Sequence, residues 1–254
     1  MVSLNKILVL SDLHVGSKYA VMPERFGNTV PNAIQRKILD EWIKMVDREK
    51  DVDAVFILGD IVDGLQRVNC GRELWTSDLD EQISAAQELV NMIDYDSALV
   101  VYGTPYHTEE GLNLDALFAK SINAKAHGWE LSVKPNKSDE AIHLAHQVST
   151  SGAPMMYRTT PIAKELMMAL LHEKELFKYR AIIRAHAHYF VYVAFSNQFG
   201  WINPCWQDRN PYMTRKGLGL MPKLGYVVLN TPEDSSWGVI PKTFSISKPD
   251  LVMF

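Results

Sequence analysis

The chain has 254 residues, a formal net charge of -4, 47% hydrophobic residues and 22% charged residues. That length suits one large domain, the composition suits a globular protein with a full core, and the slight acidity gives no global case for nucleic-acid binding. Two cysteines, Cys70 and Cys205, stand in no spaced motif, which argues against a disulfide scaffold and for a reducing compartment.

The first apolar run, 7–10, meets an Asp too early for a secretory signal, and no later stretch approaches the roughly 18 apolar residues of a membrane span. A cytoplasmic protein without membrane association is expected. Short apolar runs at 6–10, 54–58, 98–102, 141–145 and 181–184 read as buried strands. Between the first two, Ile34, Ile38, Trp42 and Met45 fall on one helical face. Between the second and third, Leu79, Ile83, Ala86, Val90 and Ile93 do the same, with Ser77 or Asp78 as cap. Thr160-Pro161 opens a third helix expected to reach about Tyr179. After Ala187 the pattern turns strand-like, at 189–196, 225–229 and 239–246. The expected class is therefore α/β passing into β-structure within a single domain. Two connections, 15–31 and 198–223, exceed the length that compact domains leave without purpose. They are expected to be an active-site cover, surface decoration or an oligomer contact.

Each of the five strands ends on a residue able to bind a metal. The first ends in Ser11-Asp12-Leu13-His14 and the second in Gly59-Asp60, with Asp63 close behind. The third ends in Gly103 and reaches His107, the fourth ends at His146, and the fifth leads into His186-Ala187-His188. Carboxyl ends of strands are where α/β sheets gather ligands. In an extended backbone, both members of Asp12-x-His14 or His186-x-His188 lie on one side. So many hard and borderline ligands without compensating Lys or Arg would repel one another unless cations neutralise them. The absence of cysteine suits Mn, Fe, Zn or Ni in mixed oxygen and nitrogen coordination. His127, His143 and His172 lack a partner motif and read as structural or solvent-exposed.

In order and spread, SDLH, GDIVDG, GTPYH, AH and AHAH resemble the blocks of the calcineurin-like metallophosphoesterase family. The resemblance runs from residue 7 to residue 188. It implies a two-sheet sandwich flanked by helices, in four layers α-β-β-α, and a centre of two divalent ions, Mn2+ being the leading expectation. One ion would be held by Asp12, His14 and His188, the other by His146 and His186, with Asp60 bridging both and Asp63 supporting from behind. Water between the ions would lose a proton near neutral pH and attack phosphorus, so Asp60 and His107 are the expected catalytic residues. The third block departs from the family's Gly-Asn-His: Thr104, Pro105 and Tyr106 intervene before His107. Three readings stand open: Thr104 as an oxygen ligand with His107 as acid, His107 itself as ligand to the second metal, or water in the place of the Asn.

A phosphodiester is the expected substrate, with a phosphomonoester (including a phosphoprotein) as the alternative. Aromatic and basic residues in 198–223, among them Trp201, Trp206, Arg209, Tyr212, Arg215 and Lys216, suggest a nucleotide or nucleic acid, with Trp206, Arg209 and Arg215 contacting it. A non-catalytic scaffold on the same fold is the reading from a different class. The sequence leaves the oligomeric state open.

Overall fold

Burial alternates along the first strand, β1 (Lys6–Leu10), and this sets out the layers. Ile7 and Val9 point into one core, while Leu8 and Leu10 point into another. The computed structural model describes residues 3–107, 112–137, 139–148, 157–174, 176–215, 221–233 and 236–246.

The next strands are β2 (Val52–Leu58), β3 (Tyr95–Val101) and β4 (Lys125–Ala126), followed by β5 (Glu130–Val133), β6 (Glu140–Ala145) and β7 (Lys178–Arg184). The chain finishes with β8 (Val191–Phe195), β9 (Gln198–Ile202), β10 (Leu224–Asn230) and β11 (Gly238–Phe244). They form a six-stranded sheet in the order β11-β10-β1-β2-β3-β4 and a five-stranded sheet in the order β5-β6-β7-β9-β8. β1 to β4 run parallel, as do β6, β7 and β9, so the functional strand ends gather at one edge of the sandwich. Ile7, Val9, Phe56, Leu58, Ile142, Ile183, Phe199 and Trp201 form the core between the sheets.

Three helices cover the first sheet: α1 (Ala33–Arg48), α2 (Leu79–Val90) and α3 (Leu114–Ser121). Each begins on a polar side chain that satisfies free N–H groups, namely Asn32, Asp78 and Asn113. α4 (Thr160–Leu171) covers the second sheet through Ile162, Leu166 and Ala169. The result is the helix-flanked, two-sheet α/β architecture expected from the sequence.

Two expectations are corrected. α4 stops at Leu171 rather than near Tyr179, because Tyr179 and Ala181 are buried in β7 at strand spacing. Within 198–223 the described residues are not an irregular insertion, since β9 is a fully buried strand between β7 and β8 and Pro211–Arg215 forms a short helix, α5. Gly200 hid this strand, glycine being a poor strand former. Its position requires the small residue, for a Cβ there would lie 2.8 Å from the Ile182 carbonyl oxygen. In the other long connection, 15–31, Ala20, Val21 and Met22 are buried, and Val15, Ser17 and Ala20 bridge to Val62, Leu74 and Gln207. α3, α5, β4 and β5 were not legible as elements in the sequence. Among the described residues no helix is long and apolar enough to cross a membrane.

Candidate metal centre

The chain turns sharply at five of the candidate ligands. φ is 51° at Asp12, 47° at His14, 49° at Asp60, 70° at His186 and 54° at His188. A left-handed backbone costs a residue with a side chain about 1–3 kcal/mol and persists only where its surroundings hold it. Asp12-x-His14 and His186-x-His188 are therefore not extended pairs, as the spacing argument assumed; their side chains converge through left-handed turns. Hydrogen bonds fix those turns. The Asp12 N–H donates to the Gly59 carbonyl at 3.1 Å, the Asp12 carbonyl accepts the Trp206 N–H at 3.0 Å, and the His14 N–H donates to the Asp60 carbonyl at 3.0 Å.

Three groups of side chains bring ligand atoms within 4.8 Å of one another: Asp12, His14 and His188; Asp60, His146 and His186; and His14, Asp60 and His107. The His188 Nε2 lies 3.3 Å from Asp12 Oδ1 and 3.1 Å from His14 Nε2. The His146 Nε2 lies 3.0 Å from Asp60 Oδ2 and 3.9 Å from Asp12 Oδ1. Its Nδ1–H donates to the Leu58 carbonyl at 2.5 Å, which turns Nε2 inward. Asp12 Oδ1 and His146 Nε2 are buried without a hydrogen-bond partner. Buried polar atoms ordinarily find partners, and two such ligand atoms 3.9 Å apart, each without one, fit a divalent cation between them. Carboxylate with imidazole is a donor set for first-row transition metals.

The electrostatics agree. Burial would raise the Asp12 carboxyl, but the charges of His146 and His188 outweigh it and hold it at about 2. The same contest, with His146 and His107 on the other side, leaves Asp60 well below the usual carboxylate range. Burial resists charge on His146, yet Asp60 and Asp12 push it up to about 9. Burial depresses His14, and burial together with the His146 charge depresses His186. The carboxylates are thus held ionised and His14 and His186 neutral, the ligating forms of both residue types. His146 and His188, which Asp12 also pushes up against burial, would each give up a proton on binding a metal.

At the third strand end, Thr104 is turned onto Asp60. Its N–H donates to Asp60 Oδ1 at 2.6 Å, and its hydroxyl lies 3.1 Å from both carboxylate oxygens. Glycine is required here, because a Cβ on Gly103 would sit 2.1 Å from Asp60 Oδ1. His107 donates from Nδ1 to the Asp63 carbonyl at 3.0 Å, and its Nε2 lies 3.8 Å from Asp60 Oδ2. The Asp63 carboxylate lies 3.1 Å from His14 Nδ1 and accepts from the Gln66 amide, so it orients the His14 ring from behind. Tyr106 stands edge-on to His107, with ring centroids 5.0 Å apart, and is 57% exposed.

Asp115 was not singled out in the sequence. It lies buried in the first turn of α3, accepting from the N–H groups of Ile61 at 3.2 Å and Gly103 at 2.6 Å. Burial and then the charge of Asp60 push its carboxyl up to about 6. An Asp after an Asn cap reads as ordinary helix chemistry, so only the fold brings it to the site.

The substrate contacts expected from 198–223 are corrected in part. Trp206 is fully buried, edge-on to Trp42 and stacked on Tyr226, and offers no face to a base. It is a wall of the centre, through its N–H to Asp12. Trp201 is likewise buried between the sheets. The Arg209 guanidinium donates to the Thr214 carbonyl, while Arg215 is exposed at the end of α5. Lys216 lies outside the described residues. His143 is half-buried against Tyr179, away from the centre.

Against known families, one stretch of the chain finds a match. Residues 5–103 match the family model of the calcineurin-like phosphoesterases. That stretch carries Asp12, His14, Asp60 and Asp63, and it stops one residue before Thr104, where the third block departs. No curated protein matches the chain. Among solved structures, Vps29 of Entamoeba histolytica complexed with zinc has 14% identity and a TM-score of 0.47, over 94% of this chain and 98% of that one. An archaeal phosphodiesterase has 13% identity and a TM-score of 0.47, over 93% and 99%. YfcE, a phosphoesterase from E. coli, has 13% identity and a TM-score of 0.47, over 89% and 88%.

Proposed function

We propose that this chain is a dinuclear metal-dependent phosphoesterase acting on a phosphodiester. The observation that carries this reading is the sharing of Asp60: the same carboxylate faces His146 and His186 on one side and His14 and His107 on the other. Asp12, His14 and His188 would hold one divalent ion and His146 and His186 the other, with Asp60 between them. Manganese is the ion the family resemblance suggests, and the mixed carboxylate and imidazole set would equally accept iron, zinc or nickel. Two bound cations would polarise the phosphate oxygens and bring the pKa of water toward neutrality.

The chain's own residues do the rest. Asp63 fixes the His14 ring and anchors His107 through its carbonyl. With Nδ1 so engaged, His107 turns Nε2 toward the centre, where as imidazolium it can hand a proton to a leaving oxygen. The Thr104 hydroxyl lies against both oxygens of Asp60, so Thr104 acts as an orienting donor rather than a ligand. The exposed ring of Tyr106 beside His107 supports a substrate carrying a base or aryl group, and thus a nucleotide or nucleic acid. Two free thiols fit a cytoplasmic setting.

The test is a manganese-supplemented screen of bis-p-nitrophenyl phosphate, phosphomonoesters, cyclic nucleotides and DNA, with elemental analysis and Asp60→Asn as control. Diester turnover with two ions per chain is expected. Faster monoester turnover would favour a phosphomonoesterase, and a metal-free, inert protein would leave a scaffold. His107→Ala is expected to keep both ions and lose turnover; loss of one ion would make His107 a ligand.

A further inference from the structure

Asp115 stands outside every group of ligand atoms in the centre, yet it is buried against the two loops that form it. Its Oδ1 accepts the N–H of Ile61, the residue after Asp60. Its Oδ2 accepts the N–H of Gly103, the residue before Thr104. Thr104 in turn donates twice to the Asp60 carboxylate. One side chain thus holds Asp60 by two routes, through its own backbone and through the side chain that orients it.

Helix capping does not explain this carboxylate. Asn113 caps α3 by accepting the Ala116 N–H at 3.0 Å, and both Asp115 oxygens point away from their own helix. α3 is itself fixed in the core by Leu114, Phe118 and Ala119. The carboxylate therefore has a rigid base and two fixed targets. The contact with Gly103 also matters for fit, because Gly59 and Gly103 touch so closely that a Cβ on Gly59 would meet the Gly103 Cα at 2.3 Å. If the Gly103 N–H lost its acceptor, this crossing would shift and Thr104 would shift with it.

We infer that Asp115 is a positioning residue that sets the Asp60 carboxylate for a shared pair of metal ions. The inference rests on the metallophosphoesterase reading above. Residues that orient ligands from behind typically change metal affinity by about 10- to 100-fold. Asp115→Asn keeps the shape but turns an amide N–H toward one of the two backbone N–H groups.

The experiment titrates manganese chloride into the metal-free full chain, below its thermal midpoint, and follows heat. The natural chain is expected to take two ions, and Asp115→Asn to bind them at least tenfold more weakly. Asn113→Ala, which loosens the same helical turn, is expected to weaken binding two- to fivefold and keeps the test open should Asp115→Asn fail to fold. Tyr226→Phe, which removes only a hydroxyl bonded to Arg48 and Glu49, controls for destabilisation alone and should leave the affinities unchanged. Unchanged affinity in Asp115→Asn, or in Asn113→Ala where that is the variant that folds, would overturn the inference. A natural chain that binds no manganese would instead overturn the metal reading itself.

Discussion

Thr104 and Asp60 are joined by the Thr104 N–H, 2.6 Å from Asp60 Oδ1, and by its hydroxyl, 3.1 Å from both carboxylate oxygens. The pair binds the third strand end to the second. Thr104→Val keeps the shape and the backbone donor but removes the hydroxyl from a buried carboxylate. Denaturant titration of the metal-free protein should show a loss of about 1–3 kcal/mol. An unchanged midpoint would mean that the hydroxyl contributes nothing to holding Asp60.

Gly103 is predicted to be intolerant of any side chain. The Cβ of Gly103→Ala would lie 2.1 Å from Asp60 Oδ1 and 2.2 Å from its backbone nitrogen, with nothing flexible to yield. A loss of about 3 kcal/mol, or failure to accumulate folded protein, is expected. Gly128→Ala is the comparison: φ there is +76°, but no atom lies within 4 Å of the new Cβ. It should cost only about 1 kcal/mol, in backbone strain alone.

Trp206→Ala should act on stability rather than on substrate binding. The indole is fully buried against Trp42, Tyr226 and Phe244, and removing so large a core side chain costs about 3–5 kcal/mol. Trp206→Phe should recover much of that. A KM raised severalfold with the thermal midpoint unmoved would return Trp206 to the substrate.

His143 gives the fold a pH dependence of its own. Burial, then the neighbouring charge of Arg184, pushes it down to about 4, against the opposing pull of Glu130. The native ring stays neutral where the unfolded chain, titrating near 6.5, takes up a proton. This contribution is therefore fully present above about pH 6.5 and is lost as pH falls from there toward about 4, on the order of 2 kcal/mol. Metal-free unfolding at pH 7.5 and pH 5 should show a smaller acid loss in His143→Gln than in the natural chain. Equal losses would remove His143 as the cause.

The sequence by itself determined the buried strands and the candidate ligand at the end of each, because apolar runs and their terminal residues are local properties of the chain. Asp12, His14, Asp60, His146, His186 and His188 could be read that way, strand by strand. Tertiary structure alone decided what those residues do to one another. Left-handed turns, rather than extended pairs, aim Asp12, His14, His186 and His188, and such turns exist only where distant hydrogen bonds hold them. β9 was hidden by a glycine that only its contact with β7 and α4 explains. Trp206 read as a binding residue because aromatic character looks the same in a sequence whether it faces water or core. Asp115 lies 55 positions after Asp60 in the chain and reaches its neighbourhood only because α3 packs beside the crossing of two loops. A carboxylate that serves partners so far away leaves no periodic or spacing signal, so only the assembled fold could place it.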